Sequence, residues 1–342
     1  MQRRNFMKTG VATFGLLATP AILRAASAVE LTVVHGSPNA HIISAGGVEP
    51  WMENLKEIVG DAVSFRYYPG GQLANLKGLL SAIQSGVADA VPIPVGYASD
   101  KMPLNGVSML PGLGSSAKTN IQAYAAALKT PELSGEFSTN GVVPIWNMAF
   151  PPYQIFSSEG PIKSYEDFNG RVIRSAGGSM NLAIQSLGAA PAEIPASDIY
   201  VAMERGTVGA TLSAFSSVKG YGVQELCDAA SSNGSFGTFT NVFSIRQEKW
   251  DTIPEDIRAA MMEAGALVEK SVATRMDGET DSLAAEFAAN GMHIYEIPAE
   301  ELVKINGALE AVHTDWVNRL AERELPAQSV LDAYRAAAAG LS

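Results

Sequence analysis

Residues 161–175 read Pro-Ile-Lys-Ser-Tyr-Glu-Asp-Phe-Asn-Gly-Arg-Val-Ile-Arg-Ser, residues 187–191 read Leu-Gly-Ala-Ala-Pro, and residues 197–208 read Ser-Asp-Ile-Tyr-Val-Ala-Met-Glu-Arg-Gly-Thr-Val. Tyr165–Phe168 is expected to form a short helical turn. Arg171–Ser175 predicts a strand around the apolar pair Val172-Ile173, and Ser179–Leu187 a helix. Ser197 is placed to cap a further helix that runs to Arg205 and stops at Gly206. A strand that alternates with helices over so short a span is the local pattern of an α/β fold.

The same alternation extends outward in both directions. Toward the N-terminus, Glu30–Val34 is strand-like and ends at His35-Gly36-Ser37-Pro38. Val48, Trp51, Met52, Leu55, Ile58 and Val59 recur at helical spacing, with Pro50 starting or kinking the helix. Val63, Phe65 and Tyr67 alternate as in a half-buried strand, which Pro69-Gly70-Gly71 ends. Leu73–Ser85 and Ala117–Lys129 read as helices, and Ala88–Ile93 and Val142–Met148 as strands. Toward the C-terminus, Asn241–Arg246 and Met292–Ile297 read as strands. Pro254 opens a long helix to about Ala289, and the chain is helical from Ala299 onward. Mixed or mainly parallel sheets in α/β lobes are expected.

The chain has 342 residues, 47% hydrophobic and 17% charged, which suits two packed lobes and excludes a disordered chain. Its net charge of −11 argues against a general nucleic-acid binder, since phosphate backbones call for clustered cations. A single cysteine, Cys227, excludes an intramolecular disulfide and a multi-cysteine metal site. The start, Gln2-Arg3-Arg4-Asn5-Phe6-Met7-Lys8, resembles a twin-arginine export signal. An apolar stretch of about 15 residues follows, shorter than the roughly 20 needed to span a bilayer. Ala26-Ser27-Ala28 is a small-x-small cleavage site. Residues 1–28 are therefore expected to be removed. They hold four of the 24 basic residues and none of the 35 acidic ones, which leaves a mature net charge of −15 in the periplasm.

Enzyme motifs fail. Gly112-Leu113-Gly114-Ser115-Ser116-Ala117 fits a dinucleotide fingerprint in letters, but Pro111 precedes it and no clear strand leads in, so a loop ending at a helix N-terminus is expected. No nucleophile elbow occurs. His35 and His41 flank Pro38 at a spacing poor for metal ligation. No catalytic residue, metal or cofactor is expected.

The quoted segments, in that order, closely resemble the extracytoplasmic solute receptors of TRAP transporters, the DctP-like family. Tyr68-Pro69-Gly70-Gly71-Gln72-Leu73, Ala82-Ile83-Gln84-Ser85-Gly86-Val87-Ala88-Asp89 and Trp250-Asp251-Thr252-Ile253-Pro254-Glu255-Asp256 add to the likeness, which spans nearly all of residues 30–320. It implies a periplasmic-binding-protein clam-shell, with two α/β lobes joined by crossing strands and a long helix. Lobe one would comprise residues 29–152 and 241–285, and lobe two residues 153–240 and 286–342. It further implies a receptor that catalyses no reaction, closes on a small organic acid and docks on a TRAP permease, as a monomer or a dimer. A sensor subunit feeding a membrane kinase and an exported hydrolase stand as alternatives.

Arg174 follows Val172-Ile173 just before Ala176-Gly177-Gly178, at a strand end, where α/β folds place ligand groups. Its planar fork suits a carboxylate. The resemblance implies that Arg174 pairs with the ligand carboxylate. Arg171, which strand alternation turns the other way, is the alternative. The resemblance also places Gln154 at a second polar contact, where a neutral amide suggests one carboxylate rather than two, or a hydroxyl or oxo group beside it. Ser213 and Phe215 fall where relatives present a polar or aromatic residue, and Asn241 near the strand returning to lobe one. His35, Gln72 and Tyr97 sit on loops of lobe one that could face the cleft. Gly209 stands where the family usually has Asp, and Pro195-Ala196 where some relatives carry an aromatic or a methionine. Trp146, Phe150, Tyr153, Phe215, Phe236 and Phe239 hint at an apolar or aromatic ligand tail, or at core packing.

Overall fold

Apolar alternation becomes strand and apolar helical spacing becomes helix over most of residues 28–341, which the computed structural model describes. The expected export signal, apart from Ala28, lies outside the described residues. In lobe one the chain runs through β1 (Val29–Val34), α1 (Glu49–Val59), β2 (Val63–Tyr68), α2 (Leu79–Gln84), β3 (Ala90–Pro94), α3 (Ala117–Ala127), α4 (Pro131–Thr139) and β4 (Val142–Ala149). It crosses into lobe two as β5 (Gln154–Ser157), β6 (Val172–Ser175), α5 (Ser179–Ser186), β7 (Ala190–Glu193), α6 (Ile199–Glu204), β8 (Ala210–Ser213), α7 (Phe215–Tyr221) and β9 (Ala229–Ser231). It returns to lobe one as β10 (Thr240–Arg246) and α8 (Gln247–Thr252). The chain ends with α9 (Glu255–Ala289), β11 (His293–Tyr295), α10 (Ala299–Ala321) and α11 (Ala327–Ala339).

Each lobe is built on one mixed sheet. The first has the order β2-β1-β3-β10-β4 and the second β11-β9-β5-β8-β6-β7. In the first, β1 is parallel to β2 and β3, while β10 is antiparallel to both its neighbours. In the second, β6 is parallel to β7 and β8, while β5 is antiparallel to β8 and β9. The odd strand in each sheet is the one that has just arrived from the other lobe. A strand entering from the cleft must run against strands that end there. The C-terminal ends of the parallel strands therefore meet at the cleft, where ligands bind in open α/β sheets.

The two crossing segments lie side by side. Tyr153 N–H donates to Gly237 O (2.8 Å), Phe236 N–H to Tyr153 O (3.2 Å) and Phe150 N–H to Phe239 O (3.1 Å). Gly237 has φ +96°, and a Cβ there would stand 2.5 Å from Met109 O, so only glycine fits. Helix α9 is the third connection. It packs on α1, α3 and β4 of lobe one and on α7 and β11 of lobe two. Trp146 stacks on Phe243 (5.1 Å, 6°) in the first core, a pairing worth about 1 kcal/mol beyond burial.

Several expectations shift. The helix expected over Leu73–Ser85 begins only at Leu79, because the Asn75 side chain accepts from Gly78 N–H (2.9 Å) and folds residues 76–78 into a tighter turn. Ser197 is not a cap: its hydroxyl donates to the Asp198 carboxylate, and α6 starts at Ile199 without a side-chain cap. The C-terminal helical region breaks before Pro326. Helix α10 packs on α5, but α11 turns back and buries Val330, Leu331 and Tyr334 against α3 of lobe one, away from the lobe expected for residues 286–342. The Gly112–Ala117 stretch is a loop whose Ser116 hydroxyl caps α3, accepting from Thr119 N–H (3.0 Å). No described helix is long and apolar enough to cross a membrane.

Candidate functional site

A cavity lies between the lobes, lined by Arg174, Tyr97, Tyr153, Ser213 and Asn241 on its polar side. Strand β6 brings Arg174 there as its third residue. Beyond Ser175, Gly177 (φ +91°) and Gly178 (φ +56°) take backbone conformations that favour glycine and turn the chain away into α5. Arg174 is 2% exposed. Its Nε donates to Ile194 O (2.7 Å) and its Nη2 to Tyr97 Oη (2.9 Å). Among the described residues no carboxylate pairs with it, and its Nη1 makes no hydrogen bond.

Its surroundings are hydrogen-bond donors. Tyr97 Oη accepts from both Arg174 and Ala196 N–H (2.9 Å), which fills its lone pairs and leaves its proton free. The Tyr153 and Ser213 hydroxyls make no hydrogen bond among the described residues. Asn241 Nδ2 is buried without a partner among them. Burial raises Tyr153 well above the usual phenol range, even against the opposing pull of Arg174, so it remains a neutral donor. One fixed cation with four neutral donors around it is a socket for an anion. An apolar stretch of the wall is formed by Ile43, Leu76, Pro94, Phe150, Ala196 and Phe239.

Of the expected residues, the structure brings together Arg174, Tyr97, Ser213 and Asn241. The other four lie elsewhere. Gln154 is a clip on the crossing segment. Its amide donates to Gly234 O (2.7 Å) and accepts from Gly234 N–H (2.9 Å) and Ser231 Oγ (2.9 Å). Phe215 packs its ring edge against Phe156 (5.0 Å) and near Phe287 in the second core. Gln72 is exposed on the Pro69–Asn75 loop. His35 is buried, its ring bonded to Tyr67 (2.6 Å) and Ser44 (3.0 Å). Among the six aromatics, Phe150, Tyr153 and Phe239 line the cavity, whereas Trp146, Phe215 and Phe236 are core. Arg171 pairs with Glu159 (3.2 Å) outside the cavity.

Sequence reading missed His41, Ser217 and Tyr221, which also line the cavity. The last two lie on α7, which was not expected at all. Phe215 and Val218 at helical spacing, with Ser217 and Tyr221 one turn apart, were the available signal.

The extracellular solute-binding family 7 model matches residues 34–319. A solute-binding protein of Albidiferax ferrireducens is 26% identical over 308 residues, covering 87% of this chain and 89% of that one. A marine metagenome TRAP solute-binding protein, specific for aromatic acid ligands and solved with 3-hydroxybenzoate, superposes with TM-score 0.86 at 20% identity, covering 92% of this chain and 99% of its own. A TRAP solute-binding protein from Rhodoferax ferrireducens, solved with copurified benzoate, superposes with TM-score 0.85 at 21% identity, covering 91% and 98%. The family match over most of the chain, with a two-lobed fold shared by these structures, establishes that the chain belongs to the bacterial extracellular solute-binding proteins of family 7, the DctP family.

Proposed function

We propose that this protein is a periplasmic receptor that captures a small aromatic monocarboxylate between its lobes and delivers it to a TRAP permease. The observation that carries the reading is Arg174, a buried guanidinium with no carboxylate partner among the described residues and with donors converging around it. Burying an uncompensated charge costs several kcal/mol, and an anionic ligand offsets that cost. Each hydrogen bond to a charged group adds about 1.5–3 kcal/mol.

Two further points narrow the ligand. Arg174 is the single Lys or Arg among the lining residues, so a second carboxylate would meet only neutral groups. Phe150, Phe239 and the flat faces of Tyr97 and Tyr153 suit a ring. The benzoate and 3-hydroxybenzoate bound to the structural neighbours agree with that chemistry.

The test uses residues 29–342, unfolded and refolded to strip retained ligand, then heated with benzoate, 3-hydroxybenzoate, mandelate and their methyl esters. An acid at 100 times its Kd adds about 2.7 kcal/mol and raises Tm by a few degrees. The acids shift Tm and the esters do not. A shift by esters alone removes Arg174 from the reading. Delivery is checked with vesicles holding the permease, whose uptake of labelled acid depends on the added receptor.

A further inference from the structure

The cavity wall formed by the loop after β1 and by α7 differs in kind from the wall around Arg174. His41, 1% exposed, lies with its ring against Tyr221 (4.5 Å between centroids) and edge-on to Phe150 (6.2 Å). Its Nδ1 accepts the Ile43 N–H (3.2 Å), so the proton of a neutral ring sits on Nε2. That nitrogen faces Ser217 Oγ at 3.3 Å. The Ser217 hydroxyl has no other hydrogen bond among the described residues, so its own proton is unspent. One turn along α7, Tyr221 Oη pairs with Ser37 Oγ (3.1 Å). The fit of the histidine depends on a glycine, since a Cβ at Gly220 would stand 2.4 Å from His41 Cδ2.

We infer that His41 and Ser217 form an uncharged subsite that hydrogen-bonds a hydroxyl on the body of the ligand, which makes a hydroxylated aromatic acid the preferred cargo over the bare acid. The inference rests on the carboxylate being held at Arg174. A hydroxyl both donates and accepts, and the pair offers a donor in Ser217 O–H and the remaining lone pair on the same oxygen. The His41–Ser217 contact is long, so a ligand oxygen can share it at little cost. Burial holds the imidazole neutral, with its pKa down at about 3, so the subsite offers no cation to a second carboxylate.

The experiment measures Kd by calorimetry for benzoate, 3-hydroxybenzoate, 4-hydroxybenzoate and isophthalate. The parent protein is compared with Ser217→Ala, Gly220→Ala and His41→Phe. The parent protein binds one hydroxybenzoate about tenfold more tightly than benzoate, the scale of one well-made hydrogen bond, and binds isophthalate most weakly. Ser217→Ala weakens that hydroxybenzoate about tenfold more than it weakens benzoate. Gly220→Ala, which displaces His41 and favours the helix, does the same. Equal loss for both acids in Ser217→Ala and Gly220→Ala, or a parent protein that binds benzoate as tightly as every hydroxybenzoate, overturns the inference while the Arg174 reading stands. Failure of all four acids to bind defeats both.

Discussion

Arg171 and Arg174 lie three residues apart in one short stretch, yet they meet opposite fates. Arg171 sits just before β6. Its side chain is 21% exposed, donates through Nε to Asp167 O (2.8 Å) and pairs with Glu159. Arg174 is inside the strand, buried, and bonded only to a carbonyl and a phenol. Among the described residues the first has its counter-ion and the second has none. A fold rarely buries a charge unpaired, so the unpaired one marks where a partner of opposite sign belongs.

The largest test of that contrast is a pair of substitutions. Arg174→Ala is expected to weaken binding of a carboxylate ligand at least ~100-fold, the scale of removing one partner from a desolvated pair. Arg171→Ala is expected to leave Kd within about threefold and to cost stability by about 1 kcal/mol or less, as partly exposed pairs do. Titration calorimetry on both variants decides it. Near-parental affinity in Arg174→Ala would sink the assignment.

The same contrast separates two amides. Gln154 has spent its amide on Gly234 and Ser231, whereas Asn241 Nδ2 has no partner among the described residues. Gln154→Ala therefore strands the Gly234 N–H and should lower stability by about 2–3 kcal/mol in a urea melt, with little change in Kd. Asn241→Ala should do the reverse: roughly tenfold weaker binding, with the ligand-free melt unchanged or improved. If Gln154→Ala instead weakens binding in a protein of parental stability, the residue contacts the ligand after all.

Acid brings out a smaller effect. Burial lowers His35 to about 4 and His41 to about 3, from an ordinary value near 6.5. His41 faces Tyr221 and Ser217 and is lowered further by His35; His35 faces Tyr67, Ser44 and the nearby Glu49. The unfolded chain binds protons at these rings first. Their contribution is fully present above pH 6.5 and is lost as pH falls toward 4. Each ring adds about 1.4 kcal/mol per pH unit to that slope. His41→Phe, which keeps a ring and cannot titrate, should flatten the ligand-free stability profile between pH 6 and 4 by about that amount. An unchanged slope would mean that His41 is protonated in the folded state.

How much of this was legible follows from range along the chain. The strand at Arg171–Ser175 and the helix from Pro254 could be read because their signals are local: an apolar pair, a proline at a helix start. The position of Arg174 beside the cavity was legible because a guanidinium closes an apolar strand just before a glycine turn. The hydrogen bonds of Gln154 were not legible, because its partners lie about 80 residues away, on the other crossing segment. No spacing reveals which way an amide turns. His35 and His41 look alike in sequence, and only the path of α7, with Gly220 leaving room, puts the second against the cavity. Short strands such as β9 leave too few residues to show a period. Helix α7 was hidden by the polar Ser216 and Ser217 at its start.

Gly209 offers the finest test of the paired half of the contrast. The family's usual Asp is missing there, and a Cβ at 209 would stand 2.2 Å from the Glu159 carboxyl carbon. The Glu159 carboxylate therefore occupies the space that a side chain at 209 would take, and it pairs with Arg171. Gly209→Asp sets two carboxylates in one spot. Glu159 is 58% exposed and can swing out, so the cost is expected to be only about 1 kcal/mol. Glu159→Ala alone should cost less than that. Combined, the two substitutions should return close to parental stability, because the new Asp inherits Arg171 without a rival. Urea melts of the three variants give the coupling directly. A double variant whose losses simply add would show that Glu159 does not stand in for the missing acid, and Arg171 would then hold its place through the Asp167 carbonyl rather than through a counter-ion.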